Sequence, residues 1–336
     1  MKIVTHQETN QFNFLRLFAA FLVFFGHGHV LLGLVPTTVL SHGLGVYIFF
    51  SISGYLISMS WDKDPSLYRF FIRRSTRIFL ALIVCILLSV VILGPILTTL
   101  SMKDYFAHGA TLIYIQNILL HISYYLPGVF EQNPVPNAVN GSLWSLPVEF
   151  MMYILVAVIG SIVGKFYLKY IVLILFIFLL FTTKYWALET QDFIIFYGMD
   201  LKTIVYTGVY FWAGAFFYHF NFKKYFSFET FAIVFLLLIF MFQWENIYSW
   251  LSYFLIPFVV LSFGFSASNY LNIFNKADYS YGLYIYAFPV QQTMVYLYPK
   301  LSINSHLIIG FTITIILASL SWHLIEKPSL RLKPKK

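Results

Sequence analysis

The chain has 336 residues, of which 60% are hydrophobic and only 10% charged, against about 45–50% and about 25% in an average soluble domain. That leaves too little polar surface to coat a water-soluble globule, so the composition excludes a soluble enzyme and puts the chain in lipid. The net charge of +8 does not indicate nucleic acid, because the basic residues flank apolar runs instead of gathering on one surface.

A helix that crosses a bilayer needs about 20 apolar residues. Ten stretches are predicted to do so, near 13–33, 43–60, 78–98, 142–163, 170–183, 203–220, 228–243, 249–267, 279–298 and 306–325. The first is of full span length, lacks a small-residue cleavage site and is expected to stay as an anchor. The semi-apolar stretch 106–120 reads as re-entrant or interfacial; as a span it would bring the count to eleven and invert all that follows. Charge favours ten. With the N-terminus inside, sixteen basic residues fall on the cytoplasmic side: Lys2, Lys63, Arg69, Arg73, Arg74, Arg77, Lys165, Lys169, Lys223, Lys224, Lys276, Lys327, Arg331, Lys333, Lys335 and Lys336. Four fall outside, at Lys103, Lys184, Lys202 and Lys300, as the positive-inside rule requires. The segment 99–141, with its run HISYYLPGVFEQNPVPNAVNG, is loop. Cys85 stands alone in an apolar run and reads as packing. The expected fold is therefore all-α: a polytopic transmembrane helical bundle of about ten spans, one membrane domain over 1–336, both termini cytoplasmic.

An ionisable group inside lipid is costly and asks for a reason. Arg16 and His27 lie eleven residues apart in the first span. At 100° per residue they share one helix face, about 16 Å apart along the axis. Glu149, early in the fourth span, falls at the depth of His27 because the two spans run antiparallel. A carboxylate at that depth would orient the imidazole and raise its basicity. The plainer readings are a snorkelling Arg16, a hydrogen-bonded buried His27 and a helix-end Glu149, and spacing alone leaves a transporter or sugar exporter open. In the inner loop, RFFIRRSTRIF crowds Arg73, Arg74 and Arg77 on one side of the next helix start. That pattern suits phosphate as well as simple anchoring.

These features together resemble the acyltransferase-3 family of bacterial membrane O-acyltransferases, over about 10–330. NFLRLFAAFLVFFGHGH resembles its Arg-X10-His signature, on Arg16 and His27; GVYIFFSISGYLI its FF-x-x-SG element, on Phe49, Phe50, Ser53 and Gly54; RRSTRI its Arg-x-x-Arg motif, on Arg74 and Arg77. NGSLWSLPVEF is similar to its SLWSL-x-x-E motif, ending on Glu149, and SYGLYIY and LIEKP, with Glu326, are similar to its late elements. Many members carry a histidine after the SYGLYIY-type element, where this chain has Ala287. The chain resembles the stand-alone type, without a fused hydrolase-like domain.

The resemblance implies a multi-pass protein of the bacterial cytoplasmic membrane that transfers an acyl group, typically acetyl, from acyl-CoA to a hydroxyl of a cell-surface glycan or its precursor. Its partners would be acyl-CoA as co-substrate, a carbohydrate acceptor and membrane lipids, with no permanently bound cofactor, no metal and no nucleic acid. Arg73, Arg74, Arg77 and Ser53 are expected at the CoA site, and Arg16, which would also meet the nucleotide phosphate, is expected among the catalytic residues with His27 and Glu149. His27 is expected to act as general base or as acyl carrier. Glu149 would orient His27 or help bind the acceptor, and Asn140 and Trp144 at the outer mouth would contact sugar. Ser53 and Gly54 also suit close helix approach.

Overall fold

The structure, a computed structural model, describes residues 10–35, 42–187, 194–266 and 269–334; Lys2, Lys335, Lys336 and position 267 of the predicted span 249–267 lie outside them. The described elements are α1 (Phe12–Leu31), α2 (His42–Lys63), α3 (Leu67–Leu88), which runs on through a π-turn into α4 (Gly94–Leu97), α5 (Met102–Ala107) and α6 (Gly109–Ile115). There follow α7 (Ser145–Thr182), a two-stranded hairpin of β1 (Ile195–Phe196) and β2 (Met199–Asp200), α8 (Leu201–His219), α9 (Phe228–Met241), α10 (Glu245–Phe265), α11 (Ser280–Leu297), α12 (Ile303–Ser321) and α13 (Lys327–Ser329). The protein is an all-α membrane bundle.

Among the described residues, six helical stretches are long and apolar enough to cross a membrane: Phe12–Leu31, His42–Lys63, Leu67–Leu97, Gly141–Trp186, Ile247–Phe265 and Ile303–Leu332. The predicted spans 142–163 and 170–183 both lie on the fourth of these. Gly164 divides it with φ +71, a left-handed value that glycine adopts without a Cβ penalty. α8, α9 and α11 form where spans were predicted but are shorter or more polar. α11 shows why: Gln291 and Gln292 are fully buried on it, so its polarity faces protein, not lipid. The stretch 106–120 holds α6 and a 3-10 turn that ends at Leu120 in the left-handed region. Helix over 109–119 rises about 16 Å, half of a hydrocarbon core.

The site rests on one close helix crossing, between α2 and α8. A Cβ on Gly54 of α2 would collide with the Phe211 carbonyl oxygen of α8, and one on Gly214 of α8 with the Ser51 carbonyl oxygen of α2. Small residues let backbones meet in this way. Gly54→Val must force the two helices apart, and overpacking of this kind costs about 1–3 kcal/mol or more. The purified variant is expected to melt well below wild type, and an unchanged Tm would show that the crossing is not tight.

Candidate active site

At the arginine-rich end of the bundle, five helices converge on a narrow slot. α1 supplies Arg16, α2 Ser53, α3 Arg74 and Arg77, α7 Glu149 and Tyr153, and α11 Tyr281 and Tyr284. Its cavity volume is only about 60 Å³, too little for a globular ligand. Glu149 and Tyr153, one turn apart, face the slot together. Glu149 Oε1 accepts from Ser53 Oγ at 2.5 Å and from Tyr153 OH at 2.5 Å.

The arginines are held unequally. Arg77 pairs with Asp278 at 2.8 Å, and Arg16 approaches the same carboxylate at 3.9 Å. Arg74 has no carboxylate partner among the described residues. It donates to Ser60 Oγ at 3.0 Å and lies over the Phe70 ring, while its Nε is buried without a hydrogen bond. Arg73 does not join them. It pairs with Asp64 at 2.6 Å, beside Arg69 on the same carboxylate, because consecutive helix positions point about 100° apart. Hydrogen bonds from Arg69 and Arg73 hold the Asp64 carboxyl well below the usual carboxylate range. Arg73, expected at the CoA site, thus stands on Asp64 and does not line the slot.

Towards the other end, His27 is buried, at 8% exposure. Its Nδ1 lies 3.4 Å from Ser142 Oγ. Its ring stacks on that of His42, centroids 5.1 Å apart, and meets the edge of Phe288. Among the described residues its Nε2 makes no hydrogen bond. Glu149 does not orient it, since the hydrogen bonds of that carboxylate go to Ser53 and Tyr153. Depth is one coordinate of three, and α1 packs chiefly on α2, α11 and α12 while α7 packs on α8 and α2. The connection from slot to histidine runs instead through Tyr284. Its hydroxyl donates to the Ser142 carbonyl at 2.8 Å and shares a bond of 2.6 Å with Ser145 Oγ.

Asn140 also differs from expectation. It is fully buried, its Nδ2 donates to the Ile285 carbonyl at 2.8 Å, and its Oδ1 accepts from the Ser142 amide at 3.2 Å. It shapes the 3-10 turn Gly141–Trp144 that presents Ser142 and has no face left for a sugar. Trp144 lines a second cavity, with a volume of about 520 Å³, alongside His42, Tyr47, Tyr124, Asp200, Thr203 and Tyr206. Val46 borders both this cavity and the slot. Sequence reasoning missed Ser142, His42 and Asp278. Ser142 left a signal as the first residue of the SLWSL motif, and Asp278 as a carboxylate two residues before the SYGLYIY element.

Residues 9–323 match the acyltransferase-3 family model, described as an acyltransferase domain. The chain belongs to this family. It is 32% identical to an O-acetyl transferase of Shigella phage Sf6, over 98% of each chain. It is 33% identical to nodulation protein 10 of Rhizobium leguminosarum bv. viciae, over 43% of this chain and 42% of that one. No solved structure matches. The protein is thus a multi-pass membrane O-acyltransferase, and the transporter reading falls away.

Proposed function

We propose that this acyltransferase moves an acetyl group from cytoplasmic acetyl-CoA, or another acyl group from its CoA ester, to a hydroxyl of a cell-surface glycan or its precursor. The proposed setting is a bacterial cytoplasmic membrane crossed about ten times, with both termini inside, and it rests on the sixteen-to-four division of basic residues. The observation that carries the reading is the slot. It opens among Arg16, Arg74 and Arg77 and is lined further along by Ser145 and Tyr284, whose hydrogen bonds lead to Ser142 beside His27. Arginines suit the phosphates of a nucleotide, and a thin channel suits a pantetheine arm. The choice of acetyl follows the named activity of the phage relative.

In the direct route, His27 Nε2 takes the proton of the acceptor hydroxyl. The oxygen attacks the thioester carbonyl, the carbon–sulfur bond breaks, and the leaving thiolate takes the proton back from the imidazolium. Ser142 fixes the Nδ1 side and so leaves Nε2 for this work. The covalent route, with the acyl group held on a ring nitrogen, uses the same atom. Glu149 serves by holding Ser53 and Tyr153 along the slot wall.

Membranes carrying the protein are expected to transfer radiolabelled acetyl from acetyl-CoA to purified surface polysaccharide, and to transfer none with free acetate as donor. Arg74→Ala removes the guanidinium with open donors. Loss of a hydrogen bond to a charged group is worth about 1.5–3 kcal/mol, so KM for acetyl-CoA should rise about 10- to 100-fold with the acceptor KM little changed. Absence of CoA-dependent transfer in wild type would sink the proposal, and a normal acetyl-CoA KM in Arg74→Ala would remove Arg74 from the donor site.

A further inference from the structure

The reacting histidine lines neither cavity, so whatever it deprotonates must reach it past another residue. On the side away from the slot that residue is His42, the first of α2. Its ring lies against that of His27 and forms part of the second cavity's wall. The two helices meet closely here, since a Cβ on Gly26 would touch the His42 amide nitrogen at 2.5 Å. Among the described residues, His42 Nδ1 is buried with no hydrogen-bond partner.

The rest of the wall has a distinct chemistry. Trp144, Tyr124, Tyr47 and Tyr206 supply flat aromatic faces, and Asp200 and Thr203 supply polar groups beside them. Asp200 Oδ1 caps α8 through the Lys202 amide at 3.1 Å, which fixes the carboxylate in place; among the described residues its second oxygen accepts no hydrogen bond. A sugar ring offers two kinds of surface, an apolar C–H face and an edge of hydroxyls. Aromatic platforms match the first and a held carboxylate matches the second. The cavity volume of about 520 Å³ falls within the range of small-molecule pockets, about 300–1,000 Å³, room for more than one ring.

We infer that this cavity is the saccharide acceptor site, and that His42 binds the acceptor hydroxyl and presents it to His27. The inference rests on the proposed acyl transfer and adds the place and the residues of the acceptor. It also gives the hairpin β1–β2 a purpose: Gly198, Met199 and Asp200 form part of the cavity wall.

The test uses membranes containing the full chain, radiolabelled acetyl-CoA, and surface polysaccharide from the expressing cells after alkaline removal of its O-acetyl groups. His42→Asn, Trp144→Ala and Asp200→Asn, the last of which keeps a helix cap, should each raise the acceptor KM about tenfold or more, since each removes a partner of the kind that discriminates substrates. The acetyl-CoA KM should stay within about twofold. If wild type transfers acetyl and all three variants keep a normal acceptor KM, the inference is overturned while the proposed function stands. A shift in acetyl-CoA KM of the same size as in acceptor KM overturns it too, as that marks a general structural role. If wild type transfers nothing, the proposed function itself has failed. A second measurement needs no turnover. In Thr203→Cys, maleimide labelling of the new thiol should be slowed several-fold by the de-O-acetylated polysaccharide, and labelling indifferent to the polysaccharide counts against the site.

Discussion

His27→Ala should reduce acyl transfer by about 10²- to 10⁴-fold, the usual contribution of a positioned general base, while leaving the amount of folded protein and the affinity for acetyl-CoA nearly unchanged. The two halves of that expectation come from different observations. The loss of rate follows from the place of His27, between the Ser142 turn and His42, with one ring nitrogen engaged and the other without a partner among the described residues. The unchanged donor affinity follows from the slot, whose walls do not include His27. Equal loss in kcat and kcat/KM would mark an interaction made in the transition state only. An active His27→Ala variant would remove the histidine from the chemistry altogether. The same variant separates the two chemical routes. Wild type incubated with labelled acetyl-CoA and no acceptor should retain no protein-bound label if the proton route holds. Label present in wild type and absent from His27→Ala would establish the acyl-histidine.

What the sequence revealed about this site was whatever depends on position along a helix. A step of eleven residues from Arg16 to His27 put them on one face. The break at Gly164 was visible as the gap between two apolar runs, although its left-handed backbone was not. Neighbours across helices stayed hidden. Glu149 and His27 match in depth and still do not meet, because the lateral order of helices is set by packing at places such as Gly54 and Gly214, which hydropathy does not register. Arg73 looked like Arg74 until Asp64 was placed beside it. Asn140 looked like an outer-loop polar group and is fully buried, because a loop rich in proline and glycine can fold back between helix ends. His42 was passed over for a simple reason: a polar residue at a span boundary is ordinary, and only the ring contact with His27 makes it otherwise.

The largest effect on stability is expected at Asp278, just before α11. Its carboxylate receives Arg77 at 2.8 Å, Arg16 at 3.9 Å and the Ser280 hydroxyl at 2.5 Å. Burial alone would push this carboxyl up, but Arg77, Arg16 and the Ser280 hydrogen bonds together hold it below its usual range, so it is ionised at neutral pH. Asp278→Ala would leave two guanidiniums facing one another at the slot entrance with no counter-charge. Breaking a buried pair from one side costs about 3–5 kcal/mol. The lower end applies here, because the Arg77 side chain is 36% exposed and water screens part of its charge. Purified Asp278→Ala protein should therefore melt far below wild type at neutral pH, with Asp278→Asn between them, since the amide can still bond Ser280 but carries no charge. The pH dependence has a definite sign. A carboxyl whose folded pKa is lowered contributes stability above its unfolded pKa and loses that contribution as pH falls through the folded value. The gap in Tm between wild type and Asp278→Asn should be full at neutral pH and close as the pH drops below the usual carboxylate range. A gap that is independent of pH would mean that Asp278 acts through packing and not through the two arginines it joins.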